Sequence, residues 1–109
     1  MVQLCMGVPW GAPDDLNTFM AMRNNVPEDW TFSAFSIGRN QLTYVSLAAL
    51  AGGNVRVGLE DNVWMTPKRQ VLATNLQLLA RIKSIADAMG LLPATPGEVR
   101  ARLNMQVDA

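Results

Sequence analysis

Residues Gly52 to Asn62 read GGNVRVGLEDN. Side chains alternate across a strand, so a strand from Asn54 to Glu60 puts Val55, Val57 and Leu59 on one face and Arg56, Gly58 and Glu60 on the other. Asp61 then falls where the strand hands over to a loop. One aliphatic face and one charged face suit an α/β protein, in which helices cover the aliphatic side of a parallel sheet. Acids at the carboxyl ends of such strands sit where barrels and open α/β enzymes place their chemistry, which makes Glu60 and Asp61 candidates for function.

The chain before this stretch repeats a strand and helix rhythm. The run from Val2 to Val8 reads as a buried strand ended by Gly7, Pro9 and Gly11, with Cys5 as a small buried apolar residue on it. Pro13 fits a first helical turn, and Asp14 and Asp15 lie where a helix dipole favours negative charge. Leu16, Phe19, Met20 and Arg23 recur at helical spacing, and the helix is expected to end near Asn24 or Asn25, before Pro27. Trp30 to Ile37 reads as a second strand, turned by Gly38, Arg39 and Asn40. From Gln41 a helix runs through Leu42, Val45, Leu47, Ala49 and Leu50 to its stop at Gly52 and Gly53.

Downstream, NVWMTPKRQVLA from Asn62 to Ala73 is a loop of a length that is often functional or mobile. Leu76, Leu79, Ile82, Ala86 and Met89 define one apolar stripe on the next helix, which Gly90 terminates. Thr95, Pro96 and Glu98 form a capping box with a favourable proline and predict a short helix from Pro96 to about Leu103. The tail from Asn104 to Ala109 is expected to fray.

Composition narrows the function classes. Of 109 residues, 50% are hydrophobic and 17% charged, which points to a single domain with a buried core. Nine basic residues balance nine acidic ones, so the electrostatic footprint of a nucleic-acid or anionic-membrane binder is missing. One cysteine and no histidine leave no disulfide framework, no Ser/His/Asp triad and no HExxH motif. No signal-peptide pattern and no apolar run near the roughly 18 residues of a membrane span occur, and a cytoplasmic protein is expected.

Strand starts near residues 2, 31 and 54 imply three βα units in a parallel sheet. A spacing of roughly 23 to 29 residues is the rhythm of a (β/α)8 barrel, which takes roughly 250 residues. The fold class expected is therefore α/β: the last three βα units of a (β/α)8 TIM-type barrel plus a short C-terminal helix. On this reading residues 1–109 are the C-terminal part of one barrel domain, with no second domain. Its unpaired edges call for the missing strands or for a homo-oligomer.

GGNVRVGLEDN closely resembles the signature around the last barrel strand of the β-keto acid cleavage enzymes, the family of 3-keto-5-aminohexanoate cleavage enzyme. The similarity extends to GVPWGAP (Gly7–Pro13), SIGRNQL (Ser36–Leu42), ATNLQLL (Ala73–Leu79) and ATPGEVR (Ala94–Arg100). It implies a zinc-dependent barrel that reacts a β-keto acid with acetyl-CoA, yielding acetoacetate and the CoA thioester of the remaining acyl chain. It also implies roles: Glu60 as the carboxylate zinc ligand, and Arg56 with Asp61 as the pair that deprotonates the substrate. Arg39 matches a loop position that can meet an anionic group of substrate or CoA, and also reads as a solvated turn arginine; Ser36 is a weaker candidate. Asn54 stands where the family often reads GGH, and the family's two histidine zinc ligands have no counterpart here.

Such chemistry needs a polarised carbonyl and a base beside it, and Asp61 with Arg56 would supply the base. Without the resemblance, Arg56 and Glu60 read as an ordinary ion pair and Asp61 as a turn residue. Trp10, Trp64 and Met65 fall in loops at the expected catalytic end, where they pack loops or line a pocket. Two functions remain open: part of a zinc-dependent β-keto acid cleavage enzyme, inactive in isolation, or a truncated non-catalytic half-barrel acting as a structural or self-associating module. Neither involves nucleic acid or membrane.

Overall fold

In the computed structural model, residues 1–106 are described; of the tail expected to fray, residues 107–109 lie outside them. Strands β1 (Val2–Met6), β2 (Phe32–Ser36) and β3 (Asn54–Val55) form one parallel sheet in the order β1-β2-β3. Helices α1 (Leu16–Asn24), α2 (Gln41–Leu50), α3 (Asn75–Ala88) and α4 (Pro96–Arg102) follow the strands and complete the described elements with a single 3-10 turn, Gly38–Asn40. The expected β-α-β-α-β order and the parallel pairing are both present. The structure is a small α/β unit of a kind compatible with a piece of a barrel.

Local chemistry accounts for the helix ends. Asp15 caps α1, its carboxylate accepting from the Thr18 amide at 2.8 Å and from the Thr18 hydroxyl at 2.7 Å, and these bonds hold its pKa below the usual value. Gly52, at φ +82°, closes α2 in the left-handed region that favours glycine. Gly53 has a different role: a Cβ there would stand 2.5 Å from the Phe32 ring, so the chain can re-enter the sheet only without one. Thr95 and Glu98 form the expected capping box on α4, and Thr74 with Gln77 forms a second on α3 that the sequence reading did not anticipate.

Two apolar clusters flank β2. Leu4, Met6, Phe32 and Ala34 face Phe19 of α1 and Tyr44 and Ala48 of α2, with the Phe19 and Tyr44 rings edge to face at 6.0 Å. On the other side Phe35 packs with Val45 and Ile82, flanked by Cys5, Leu42, Val57 and Ile85.

Three expectations need correction. The strand expected over Asn54–Glu60 pairs only at Asn54 and Val55. The register Ala34↔Val55 brings Ser36, the last residue of β2, opposite Val57, so Gly58 to Glu60 have no ladder to join, and they turn instead. Val55, expected on a covered face, is 42% exposed. On α3 the buried residues are Leu78 and Ile82, with Ile85 packed beside them, whereas Leu76 is 78% and Leu79 54% exposed. The stripe is rotated by one residue because α3 is anchored through the Phe35 and Val45 cluster rather than through its most leucine-rich face. On α1, likewise, Phe19 and Met22 pack inward and Leu16 and Met20 stand out.

This register is measurable. Leu78→Ala should cost roughly 2–5 kcal/mol in urea unfolding, as buried leucine truncations do, and Leu76→Ala should stay within about 0.5 kcal/mol of wild type; the reverse order would restore the stripe expected from the sequence.

Candidate active site

The residue after β3 is Arg56, and β2 places Phe35 opposite it. Because strand residues two apart share a face, Gln3, Cys5, Ser33, Phe35, Asn54 and Arg56 all belong to one side of the sheet. The Arg56 guanidinium carbon lies 4.7 Å from the Phe35 ring centroid, a cation–π contact worth roughly 0.5–1 kcal/mol at a part-exposed site. Its Nη1 donates to Gln3 Oε1 at 3.0 Å, reaching across β2 to β1. Two contacts thus hold a long side chain that would otherwise sample many rotamers.

That guanidinium meets two carboxylates. Arg56 Nη2 is 3.6 Å from Glu60 Oε1, and Arg56 Nε is 3.2 Å from Asp61 Oδ2. The two pairs differ in environment, since the side chain of Glu60 is 58% exposed and that of Asp61 only 6%. Water screens the first, which is worth at most about 1 kcal/mol. The second pairs charge without hydrogen-bond alignment: Oδ2 of Asp61 is buried and accepts no hydrogen bond. Burial pushes the Asp61 carboxyl up, Arg56 pulls it back, and Glu60 adds to the rise; the net direction is upward.

The backbone around these acids is clamped from three elements. Gly58 C=O accepts from the amides of Asp61 and Asn62, closing a turn, and also from the buried Gln41 amide Nε2 at 3.2 Å. Gly38 N–H donates to Asp61 C=O at 2.7 Å, and Leu59 N–H donates to Asn75 Oδ1 at 3.0 Å. The β2–α2 junction, α2 and the start of α3 therefore all fix the turn that presents Glu60 and Asp61. Glu60 folds back so that its carboxylate lies over Gly58, in the space a Cβ would fill.

Arg56, Glu60 and Asp61 are thus brought together. Arg39 sits apart, exposed on the 3-10 turn, and Ser36 is fully buried with its hydroxyl on Ile37 C=O. Trp10 is 89% exposed, while Trp64 lines an open cleft of about 250 Å³ together with Glu60, Asp61, Asn62, Arg69 and Gly38. A larger groove of about 520 Å³ beside β1 and α1 is lined by none of the candidate residues. Cys5, expected to be buried on β1, is only half-buried and lies within electrostatic reach of Asp61 and Arg56; burial first, then Asp61, pushes its thiol up.

Gln3, Gln41 and Arg69 were missed by sequence reasoning. Gln3 had a signal, being the one polar residue in the apolar run VQLCM. For metal binding, no group of three or more His, Cys, Asp or Glu residues gathers anywhere among the described residues. Glu60 is one donor without companions, and a catalytic zinc site ordinarily takes three protein ligands.

A family model described as beta-keto acid cleavage enzyme matches residues 1–105. The 3-dehydrocarnitine:acetyl-CoA trimethylamine transferase of Rhizobium meliloti (strain 1021) is 60% identical over 105 residues, covering 96% of this chain and 34% of the relative. The 3-keto-5-aminohexanoate cleavage enzymes of Fusobacterium nucleatum and Acetoanaerobium sticklandii are 36% and 32% identical, over 78% and 92% of this chain and 31% and 36% of their own lengths. The chain spans about a third of the length of these relatives.

The upward shift of Asp61 has a sign that stability measurements can check. A carboxyl whose folded pKa exceeds its unfolded value favours the fold when protonated, and that contribution is lost as pH rises through the folded pKa. Asp61→Asn should therefore unfold at higher urea concentration than wild type at pH 7, and the difference should close as pH falls below the unfolded value of 3.8. A variant less stable than wild type at pH 7 would show that the Arg56 pairing outweighs burial.

Proposed function

The chain belongs to the beta-keto acid cleavage enzyme family, and from that membership we propose that residues 1–109 form the C-terminal part of a single (β/α)8 barrel that cleaves β-keto acids with acetyl-CoA in the cytoplasm. Relatives named for acetyl-CoA-dependent transfer or for keto acid cleavage support the substrate classes. The observation that carries the proposal is Asp61: a buried carboxylate beside a guanidinium, with one oxygen free of hydrogen bonds.

A carbon acid next to a ketone loses its proton only to a base held in place and lightly solvated. Asp61 meets both conditions. Burial raises its basicity, and its side chain, which lines the cleft beside Glu60 and Trp64, is proposed to take the proton from the carbon between the keto and carboxyl groups. Arg56 then gains its role from position: as the proton moves to Asp61, the negative charge passes to the developing enolate, and the same guanidinium can follow it. Phe35 and Gln3 keep the guanidinium from swinging away while this happens.

The zinc centre that the family resemblance implies does not fit this chain alone, because Glu60 has no companion donors among the described residues. In the proposed barrel Glu60 is one ligand, and two histidines come from outside these residues. Arg39, exposed on the 3-10 turn, is the residue proposed to meet an anionic group of CoA outside this cluster. The isolated chain is accordingly proposed to be inactive. The competing reading, a non-catalytic half-barrel, draws support from the same missing donors and from β1 and β3 each having one neighbour.

The deciding experiment supplies the remaining strands from the Rhizobium meliloti relative as a separate or fused segment and offers 3-dehydrocarnitine with acetyl-CoA. Acetyl-CoA-dependent turnover is expected, with Asp61→Asn lowering kcat by at least about 100-fold and Glu60→Gln lowering bound zinc. Turnover unchanged in Asp61→Asn would refute the assignment of the base, and a folded assembly that never turns over would favour the structural module.

A further inference from the structure

The loop between Asp61 and α3 is not slack. Trp64 bridges Leu72 in antiparallel fashion, Met65 N–H donates to Val71 C=O at 2.8 Å, and Ala73 N–H donates to Val63 C=O at 2.9 Å. Residues 63–73 therefore form a small hairpin, and Arg81 of α3 donates to the Met65 carbonyl and pins it to the helix. Its tip is a turn closed by Arg69 N–H to Thr66 C=O at 3.0 Å, with Pro67 at the position where proline presets the turn. The residue after such a turn must take positive φ to rejoin the ladder, and glycine or asparagine is the usual occupant.

Here the occupant is Arg69, at φ +55°. An arginine in the left-handed region carries backbone strain that glycine would not, so what distinguishes it is its side chain. That side chain runs back toward the site: its Nη2 comes within 3.9 Å of the point where a Cβ on Gly38 would stand, and Arg69 lines the same 250 Å³ cleft as Asp61, Glu60 and Trp64. Gly38 in turn is the residue whose amide holds the Asp61 carbonyl. Among the described residues Arg69 makes no ion pair within 4.0 Å and no side-chain hydrogen bond, although two carboxylates share its cleft.

We propose that Arg69 is the anion anchor of this cleft, binding a carboxylate or phosphate oxygen of the ligand through its unpartnered guanidinium. The proposal rests on the cleavage reading for the identity of that ligand, and the guanidinium suits either anionic source: the carboxylate of the β-keto acid or a phosphate of CoA. The acids on the other part of the lining repel the same anion. Attraction at Arg69 and repulsion at Glu60 and Asp61 would set the ligand's direction across the cleft, with its uncharged carbon toward the base. Arg39, which the sequence suggested for an anionic group, does not line this cleft.

The test uses the intact chain and a binding readout that needs no turnover. Trp64 lines the cleft, and its indole N–H is one of three such resonances from the three tryptophans, identified by its disappearance in Trp64→Phe. Titration with acetoacetate, uncharged methyl acetoacetate and CoA should move that resonance with acetoacetate or CoA but not with the ester. Arg69→Ala and Arg69→Gly should weaken the binding about tenfold, and Arg69→Lys less. Arg69→Gly also relieves the strained backbone, so it should unfold at no lower urea concentration than wild type, which separates binding from folding. A shift with acetoacetate alone identifies the carboxylate as the anion, and a shift with CoA alone the phosphate. No shift with either anion, an equal shift with the ester, or unchanged affinity in Arg69→Gly would overturn the proposal. None of these results depends on whether Asp61 acts as a base.

Discussion

A carboxylate side chain only 6% exposed, with one oxygen lacking a hydrogen bond, is the constraint around which this molecule is arranged. Burying a charge is costly unless something nearby compensates it. The compensation comes from a single guanidinium, and a flexible arginine is useful only if it is held. Arg56 is held by an aromatic face from β2 and an amide oxygen from β1, so the sheet itself serves as the arginine's mount. The site thus depends on all three strands being in register, though Asp61 belongs to none of them.

Helices enter the site through backbone rather than through charge. Gln41 opens α2 and spends its buried amide on the Gly58 carbonyl; Asn75 opens α3 and accepts from Leu59; Gly38 precedes α2 and holds the Asp61 carbonyl. Each contact comes from the beginning of a helix. The acids are placed by these junctions and not by continuation of the strand. A turn clamped at several points can present Glu60 outward and Asp61 inward, and two adjacent residues acquire opposite environments.

Much of this was legible in the sequence. Strand and helix order, the parallel sheet, the capping box at Thr95 and the meeting of Arg56 with Glu60 and Asp61 all follow from period, turn residues and the GGNVRVGLEDN resemblance. The end of β3 was not legible, because alternation in VRVGLE looks the same whether or not a neighbouring strand runs alongside. Which face of α3 would be buried was equally hidden: Leu76, Leu79 and Met89 are as apolar as Leu78, Ile82 and Ile85, and only the position of Phe35 and Val45 chooses between them. Arg69 was invisible for a different reason. Nothing in TPKRQ shows that the fourth residue must turn left-handed until the hairpin hydrogen bonds are known.

The exposure of Arg56 is the part of the site most open to change. Its side chain is 40% exposed, so solvent still screens its attraction for Asp61, and in that balance burial of Asp61 outweighs pairing. Covering this face of the sheet with further strands would lower the local dielectric for both groups at once. Asp61 would lose its remaining solvation while the guanidinium's pull on it grew, and the two effects oppose each other in the carboxyl's pKa. The basicity of Asp61 would then be set by how much water the covering strands exclude from Arg56. A base tuned in this way by the groups that complete the pocket would be poised only when the pocket is complete.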